Sequence, residues 1–293
     1  MTRILDALAD IGGRYDVLYC DLWGCLHNGL ELYPAAVAAL RDFRAKGGAV
    51  VLMTNAPRTH GTVARRLDRM GLPGDAFDVI VASGDATQEA MLMGVAGRKL
   101  WHIGPDSDED LFNDLPEELA DQPPIERVDF NLAEGIVCTG PFDADNYDPE
   151  DYRGRFLSAK TRGLTMLSAN PDVVVDYGDR RIHCAGALAQ LYAEMGGEVL
   201  SFGKPHPPIY DLARRKLGAK GITYSNDQVL AVGDGIHTDI AGAQAEGIDA
   251  IFLTGGLEAE RFGANGEDPQ LEALRVWLDE QQIHPKYAMG RLR

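Results

Sequence analysis

The chain has 293 residues, 28 of them Lys or Arg and 45 Asp or Glu, for a formal net charge of −17. That length supports one large domain or two medium ones with a real core, and the negative balance argues against nucleic acid or an anionic membrane as the main partner. It also sets a condition for any anionic substrate, since the site must be locally positive or use a cation.

The start, MTRILDALAD, carries acids and no long apolar core, so it does not read as a secretory signal. No run of 18 apolar residues reads as a membrane span. DVLYC (16–20) is the first short apolar run, and AAVAALRDFRAKGG after it reads as a helix ending on glycine. AVVLMTN (49–55) is next, then a basic helix, THGTVARRLDRMG, then DVIVAS (78–83) and a further helix. Alternating helices and continuously apolar strands predict a parallel sheet covered on both faces. KLWHIG, GIVCTG and TMLSAN read as strands as well, but their connections are acidic and irregular, as in PDSDEDLFNDLPEELADQPP. EVLSFG, QVLAVGD and DAIFLTGG restore the first rhythm, and the tail carries an amphipathic helix, DPQLEALRVWLDEQQ, and a basic end, KYAMGRLR. The simplest architecture is a core of residues 1–83 and 185–262, an α/β domain inserted at 84–184, and a C-terminal helix and tail at 263–293. Cys20, Cys25, Cys138 and Cys184 form no CxxC pair, so they read as reduced thiols of a cytoplasmic protein rather than zinc ligands. Cys25, close to Asp21, reads first as a small apolar filler and second as a reactive thiol.

Four clusters fall at the C-terminal ends of predicted core strands: Asp21, Thr54 with Asn55, Gly203 with Lys204, and Gly233-Asp234 with Asp239. In an open parallel sheet, ligands bind outside those ends. Asp21 is a candidate nucleophile, because a carboxylate can attack phosphorus. Asp234 and Asp239 offer hard oxygen ligands that, with Asp21, suit Mg²⁺. Thr54 offers a hydroxyl to phosphoryl oxygens, and Lys204 a positive charge against the phosphoryl group and Asp21. A locally cationic site would satisfy the condition set by the net charge.

In this order the clusters resemble the haloacid dehalogenase superfamily, and more narrowly its class IIA, the NagD-type and para-nitrophenyl-phosphatase-like members. NAPR after Thr54, SANPD at 168–172, AGAL at 185–188, GKPHPPIY at 203–210 and above all GDGIHTDIAGA at 233–243 carry the likeness. The resemblance implies a Rossmann-like three-layer core with a parallel sheet and an inserted α/β cap. It implies Asp21, Thr54, Lys204 and Asp239 in catalysis, with Mg²⁺ held by Asp21, the Trp23 carbonyl and Asp234. A small phosphorylated metabolite is the implied substrate, and a homodimer stays open. The chain departs from the pattern at Trp23, where the resembling phosphatases carry the Asp that protonates the leaving alcohol. An indole N–H is no such acid.

His27, on the same loop, is a candidate replacement acid, weighed against a plain loop histidine bonded to backbone. Asn55 and Arg58 are expected to shape the substrate loop, Arg58 either binding an anionic group or sitting in a surface ion pair. Asp172, Asp176, Tyr177, Arg180 and Arg181 are candidates for specificity from the cap. His206 and His237, Trp101 and Trp277, and the acidic run 106–121 read as a loop buttress, an exposed turn residue, packing residues and a solvated face. Two further readings stay open: hydrolysis of another bond, such as carbon–halogen, through an alkyl-aspartate, and a phosphometabolite-binding protein that has lost turnover through Trp23.

Overall fold

The computed structural model of the chain describes residues 2–11, 13–143, 148–177, 180–262 and 269–293, with side chains described for all of these except residues 176, 177, 180 and 181. The strands are β1 (Arg3–Ile4), β2 (Val17–Cys20), β3 (Ala49–Thr54), β4 (Val79–Ala82), β5 (Lys99–Ile103), β6 (Glu126–Arg127), β7 (Gly135–Cys138), β8 (Thr165–Ser168), β9 (Val174–Tyr177), β10 (Arg180–His183), β11 (Val199–Ser201), β12 (Val229–Gly233), β13 (Asp249–Leu253) and β14 (Tyr287–Met289). The helices are α1 (Pro34–Ala45), α2 (His60–Arg69), α3 (Ser83–Leu92), α4 (Asp110–Asn113), α5 (Arg153–Thr161), α6 (Ala185–Glu194), α7 (Pro207–Ala219), α8 (Ala241–Ala245) and α9 (Leu271–Gln281).

The larger sheet runs β1-β14-β13-β12-β2-β3-β4, and every pair in it is parallel. β2 and β3 are buried along their whole length, and their alternate residues feed two cores. Leu18, Cys20, Val50 and Leu52 pack with α1 and α2 through Leu40, Val63 and Leu67. Val17, Tyr19, Val51 and Met53 pack with α7 and α9 through Ile209, Leu212, Leu274 and Trp277. The two-residue period of a strand therefore makes a three-layer sandwich, and a strand buried on both faces reads as an unbroken apolar run. Pro34 opens α1 with its fixed φ, and the Thr59 hydroxyl caps α2 by accepting from Thr62 N–H at 3.4 Å.

A second parallel sheet, β11-β8-β7-β5-β6, and an antiparallel hairpin, β9-β10, make up the inserted domain. Its core sets Trp101, Ile103, Ile136 and Met166 against Phe156 of α5 and Leu188 and Tyr192 of α6. Trp101 and Trp277 are both packing residues, as expected. Among the described residues, no helix is long and apolar enough to cross a membrane.

The strand ends fix the site. The pairs Cys20↔Val232 and Cys20↔Leu52 align β2 between β12 and β3, so all three finish on the same edge. Strand order reverses between β12 and β2, which makes this edge the crevice where an open α/β sheet binds ligands.

Two expected boundaries shift. Residues 185–201 were expected in the core, yet α6 packs in the inserted domain and β11 pairs with β8, Val199 opposite Met166. The chain re-enters the core only at residues 202–203. The apolar signature of a parallel strand is the same in either sheet, so pattern alone could not assign it. The C-terminal segment was expected as helix and tail, but β14 lies between β1 and β13 inside the large sheet.

The position of β14 gives a stability test. Met289 is fully buried and Val276 on α9 is 53% exposed. Met289→Ala should cost about 2–5 kcal/mol, whereas Val276→Ala should stay within about 0.5 kcal/mol. Denaturant unfolding of the two variants measures this, and equal, small losses would contradict a C-terminal strand in the core.

Candidate active site

Asp21 follows β2 directly, and its backbone N–H donates to Val232 O at 2.9 Å, which ties the residue to the neighbouring strand. Its carboxylate touches the Lys204 ammonium. Lys204 Nζ also donates to Asp239 Oδ1 at 2.6 Å and to Met53 O at 3.2 Å, and the whole side chain is buried. Asp239 is braced in turn, since its Oδ2 accepts from Gly235 N–H at 3.1 Å. Thr54 is buried at the end of β3, with its Oγ1 accepting from Ala56 N–H at 3.1 Å and its own proton left to donate. The structure thus brings Asp21, Thr54, Lys204, Asp234 and Asp239 to one place.

The electrostatics are lopsided. Burial pushes the Asp21 carboxyl up to about 7; Lys204 opposes this and Asp239 adds to it. Burial, then Asp21 and Asp239, raise Asp234 well above the ordinary carboxylate range. Lys204 goes the other way: burial disfavours the ammonium, but Asp21, Asp239 and Asp172 outweigh it and hold the lysine protonated. One ammonium thus serves several buried carboxylates, and removing charge from water at that ratio is costly without another cation.

The space around Asp234 fits one. A Cβ on Gly24 would fall 2.0 Å from Asp234 Oδ2, and a Cβ on Gly256 would fall 2.1 Å from it. The two glycines make a cradle for the carboxylate, and Leu257 N–H fixes it at 2.9 Å. Asp21, Cys25 and Asp234 place their ligand atoms within 4.8 Å of one another, all buried. The two carboxylates in this set supply the oxygen donors a hard cation takes.

The loop after Asp21 is folded around Trp23. The chain turns at Gly24 and Gly29, with φ of +77° and +90°, which L side chains rarely adopt. A Cβ on Gly29 would sit 2.6 Å from the Trp23 ring, so indole and glycine are in contact. The Arg66 guanidinium lies 5.2 Å over that ring and donates to Gly29 O at 2.9 Å. His27 meets the indole edge-on at 5.2 Å and is 3% exposed. Its Nδ1 accepts from Gly29 N–H at 3.0 Å, and burial together with Arg66 lowers its pKa to about 4. His27 is therefore a neutral loop brace at pH 7 and not the replacement acid.

Asn55 and Arg58 both border the cavity and are both engaged within the protein, Arg58 in the ion pair that was one of its two expected roles. Asn55 Nδ2 donates to Asp172 Oδ1 at 2.9 Å and to Lys204 O at 3.0 Å, and its Oδ1 accepts from Lys204 N–H at 2.7 Å. Both donors are engaged, so Asn55 joins three loops. The Arg58 fork is committed as well, to Ser107 O at 2.8 Å and to the buried Asp108 at 2.5 Å. The acidic run is accordingly not all solvated: Asp108 and Leu111 are buried, and Asp110 Oδ2 accepts from Thr59 N–H at the start of α2, where the helix dipole favours a negative charge. His237 is exposed, as expected, and His206 is the residue before α7, with no side-chain hydrogen bond to the helix start. The side chains of Asp176, Tyr177, Arg180 and Arg181 lie outside the described residues.

A cavity of about 870 Å³ covers the cluster. Asp21, Trp23 and Thr54 form its floor, and Val175 and Ile182 of the β9-β10 hairpin face them from the inserted domain. Arg66, Arg69 and Arg291 border it too, so its rim is cationic in a protein of net charge −17. Gly203, at the return crossing, has no room for a side chain, because a Cβ would lie 2.4 Å from Asn55 Oδ1, 2.7 Å from Ser83 Oγ and 2.8 Å from Pro171 Cδ.

Comparison with known proteins agrees with this geometry. A family model described as haloacid dehalogenase-like hydrolase matches residues 18–115, and a related HAD-hydrolase-like model matches residues 201–273. A haloacid dehalogenase-like hydrolase of known structure from Brucella suis 1330 is 36% identical, aligns over 99% of this chain and 100% of its own, and superposes with a TM-score of 0.84. The chain belongs to the haloacid dehalogenase-like hydrolases. Ribonucleotide monophosphatase NagD from Escherichia coli (strain K12) is 25% identical over 245 residues, 82% of this chain and 88% of that protein. A p-nitrophenyl phosphatase from Archaeoglobus fulgidus shares the fold, with a TM-score of 0.69 at 23% identity over 94% and 96% of the two chains.

One residue of this hydrolase's site, Arg66, escaped the sequence reading, and two more were given other or lesser roles than their positions suggest. Arg66 sits mid-helix in a basic segment where nothing local marks it as facing the loop. Asp172 was noted only as a specificity candidate, and Cys25 was weighed mainly as filler. The glycine pair at 24 and 29 around Trp23 was the available signal that the loop curls back on its indole.

His27 carries a pH prediction. Its native pKa of about 4 lies below the ordinary 6.5, so between these values the unfolded chain binds more protons and stability rises with pH. The contribution is complete above pH 6.5 and is lost as pH falls toward 4, on the order of 3 kcal/mol in all. His27→Gln should flatten that part of the stability–pH curve. In wild type the His27 ring signal should not titrate by NMR between pH 8 and 5. A midpoint near 6.5 would return His27 to the list of acids.

Proposed function

We propose that this hydrolase is a Mg²⁺-dependent phosphatase that cleaves a small phosphorylated metabolite through an aspartyl-phosphate on Asp21. One observation carries the reading: a buried carboxylate at the switch-point edge, gripped by a lysine and facing a second acid in a cradle built for it. The cationic rim suits a phosphate monoester, which a neutral alkyl halide would leave unmatched, so hydrolysis of a carbon–halogen bond has less support. The phosphatase names carried by the Escherichia coli and Archaeoglobus fulgidus relatives point the same way. The four buried free thiols suit a reducing, cytoplasmic setting.

In this reading Asp21, Asp234 and the Trp23 carbonyl hold Mg²⁺, which would neutralise the acids and offset the repulsion between carboxylate and phosphate. Thr54 and Lys204 bind phosphoryl oxygens, and Asp239 keeps Lys204 in place. An Asp21 oxygen attacks phosphorus, an O–P bond forms, and the bond to the substrate's alcohol oxygen breaks with the electron pair leaving on that oxygen. Water then attacks phosphorus, freeing Asp21 and inorganic phosphate. Both steps need a proton moved. Trp23 stands where the resembling phosphatases have an acid, and its indole does not move protons. His27 is neutral and braced, so it does not take over.

Asp21→Asn should abolish turnover of para-nitrophenyl phosphate while the thermal melt still shows a folded protein. Near-normal hydrolysis by that variant would remove the aspartyl-phosphate route.

The leaving group supplies the sharper test. Without a general acid, kcat/KM should fall steeply as leaving-group pKa rises, so an aryl phosphate turns over far faster than an alkyl one. Trp23→Asp should narrow that gap, with up to about 10²–10⁴-fold gained on alkyl esters, less whatever the lost indole packing costs. A flat dependence in wild type would mean that another group already supplies the proton. No turnover of any phosphate ester, with or without Mg²⁺, would favour the binding-protein reading.

A further inference from the structure

Among the described residues, the cluster of Asp21, Cys25 and Asp234 is not purely oxygen-based. Cys25 Sγ lies 3.9 Å from Asp234 Oδ1, and Cys25 is 1% exposed. Asp234 Oδ2 accepts from Leu257 N–H, and Asp21 Oδ1 is held by Lys204. The acceptor left on Asp234 is thus the one beside the sulfur. As a filler, Cys25 would need only to occupy volume in the core it shares with Leu22 and Leu26. Its thiol instead faces two buried acids in the space the preceding section assigns to a cation.

Sulfur changes what such a site selects. Mg²⁺ takes oxygen and gains nothing from a thiol, whereas Co²⁺, Zn²⁺ and Cd²⁺ bind thiolate strongly. We propose that Asp21, Cys25 and Asp234 form a three-ligand site for a thiophilic divalent cation, overlapping the position assigned to Mg²⁺. The proposal rests on the reading that a cation sits between Asp21 and Asp234. Three protein ligands with a further position open is the arrangement of reactive rather than purely structural metal sites. On binding, the Cys25 S–H bond is replaced by a sulfur–metal bond and its proton passes to solvent, as does any proton that Asp21 or Asp234 holds; no electron is transferred. Thiophilic cations then compete with Mg²⁺ for the same acids, with an advantage that depends on one sulfur atom.

The test is optical and does not depend on turnover. Co²⁺ is titrated into wild type, Cys25→Val, Cys25→Ser and Asp234→Ala, each confirmed folded by circular dichroism; two Cys25 variants guard against one failing to fold. Wild type should develop sulfur-to-cobalt charge-transfer absorption in the near ultraviolet and release about one more proton per Co²⁺ bound than the Cys25 variants do. Both Cys25 variants should lose the absorption and bind Co²⁺ more weakly, by at least the roughly 10–100-fold that loss of even an outer-sphere partner costs. The proposal is overturned if wild type binds Co²⁺ in an Asp234-dependent way with no sulfur absorption. It is equally overturned if the absorption survives in both Cys25 variants, which would assign it to Cys20, Cys138 or Cys184. Co²⁺ binding that ignores Asp234→Ala would instead remove the cation site on which the proposed function depends.

Discussion

Among the described residues, the Lys204 ammonium is the positive charge in direct contact with Asp21 and Asp239, and it is buried. It touches Asp21 and Asp239 and is drawn also toward Asp172. In a low-dielectric interior such a cluster is held together by attraction but left costly by its excess of negative charge. The surrounding structure is arranged to contain that cost. β2, β3 and β12 end together so that their last residues share the charge, Asp239 is clamped by a backbone amide, and two glycines free the space that Asp234 occupies. The same imbalance makes the edge receptive. In the proposed function a divalent cation would relieve the acids, and a phosphoryl group would meet a lysine, a hydroxyl and a rim of arginines.

The loop after Asp21 shows what occupies the place of a proton-transfer group. The Trp23 indole is enclosed by Gly29, His27 and Arg66, so it contributes packing and rigidity. An indole in that setting lends the cavity it lines an apolar surface and no acid.

Much of this was legible in the sequence, because parallel strands buried on both faces announce themselves as apolar runs and catalytic residues follow such strands directly. Asp21, Thr54, Lys204, Asp234 and Asp239 were all placed by that rule, and the structure brings them together. What the rule lacks is lateral information. β11 and β14 carry the same apolar signature as any core strand, and only their pairing with β8 and β13 reveals which sheet each joins. Arg58, left between an anionic substrate and an ion pair, shows a related limit. Its residue type suits an anionic substrate, but its partner Asp108 comes from a distant acidic stretch whose composition suggested solvent. Cys25 shows the limit of residue type itself, since small size and burial describe a filler and a ligand equally well.

Gly203 has a mechanical consequence. It sits at the return crossing between the two domains, wedged against Asn55, the first residue of the outgoing helix α3, and Pro171 of the inserted domain. Lys204 is the next residue along the chain. Arg58 to Asp108 and Asn55 to Asp172 tie the two domains on either side of this point. The place where the chain returns to the core and the lysine that grips Asp21 are therefore adjacent residues, so the same short stretch of backbone carries both the domain junction and the charge of the site.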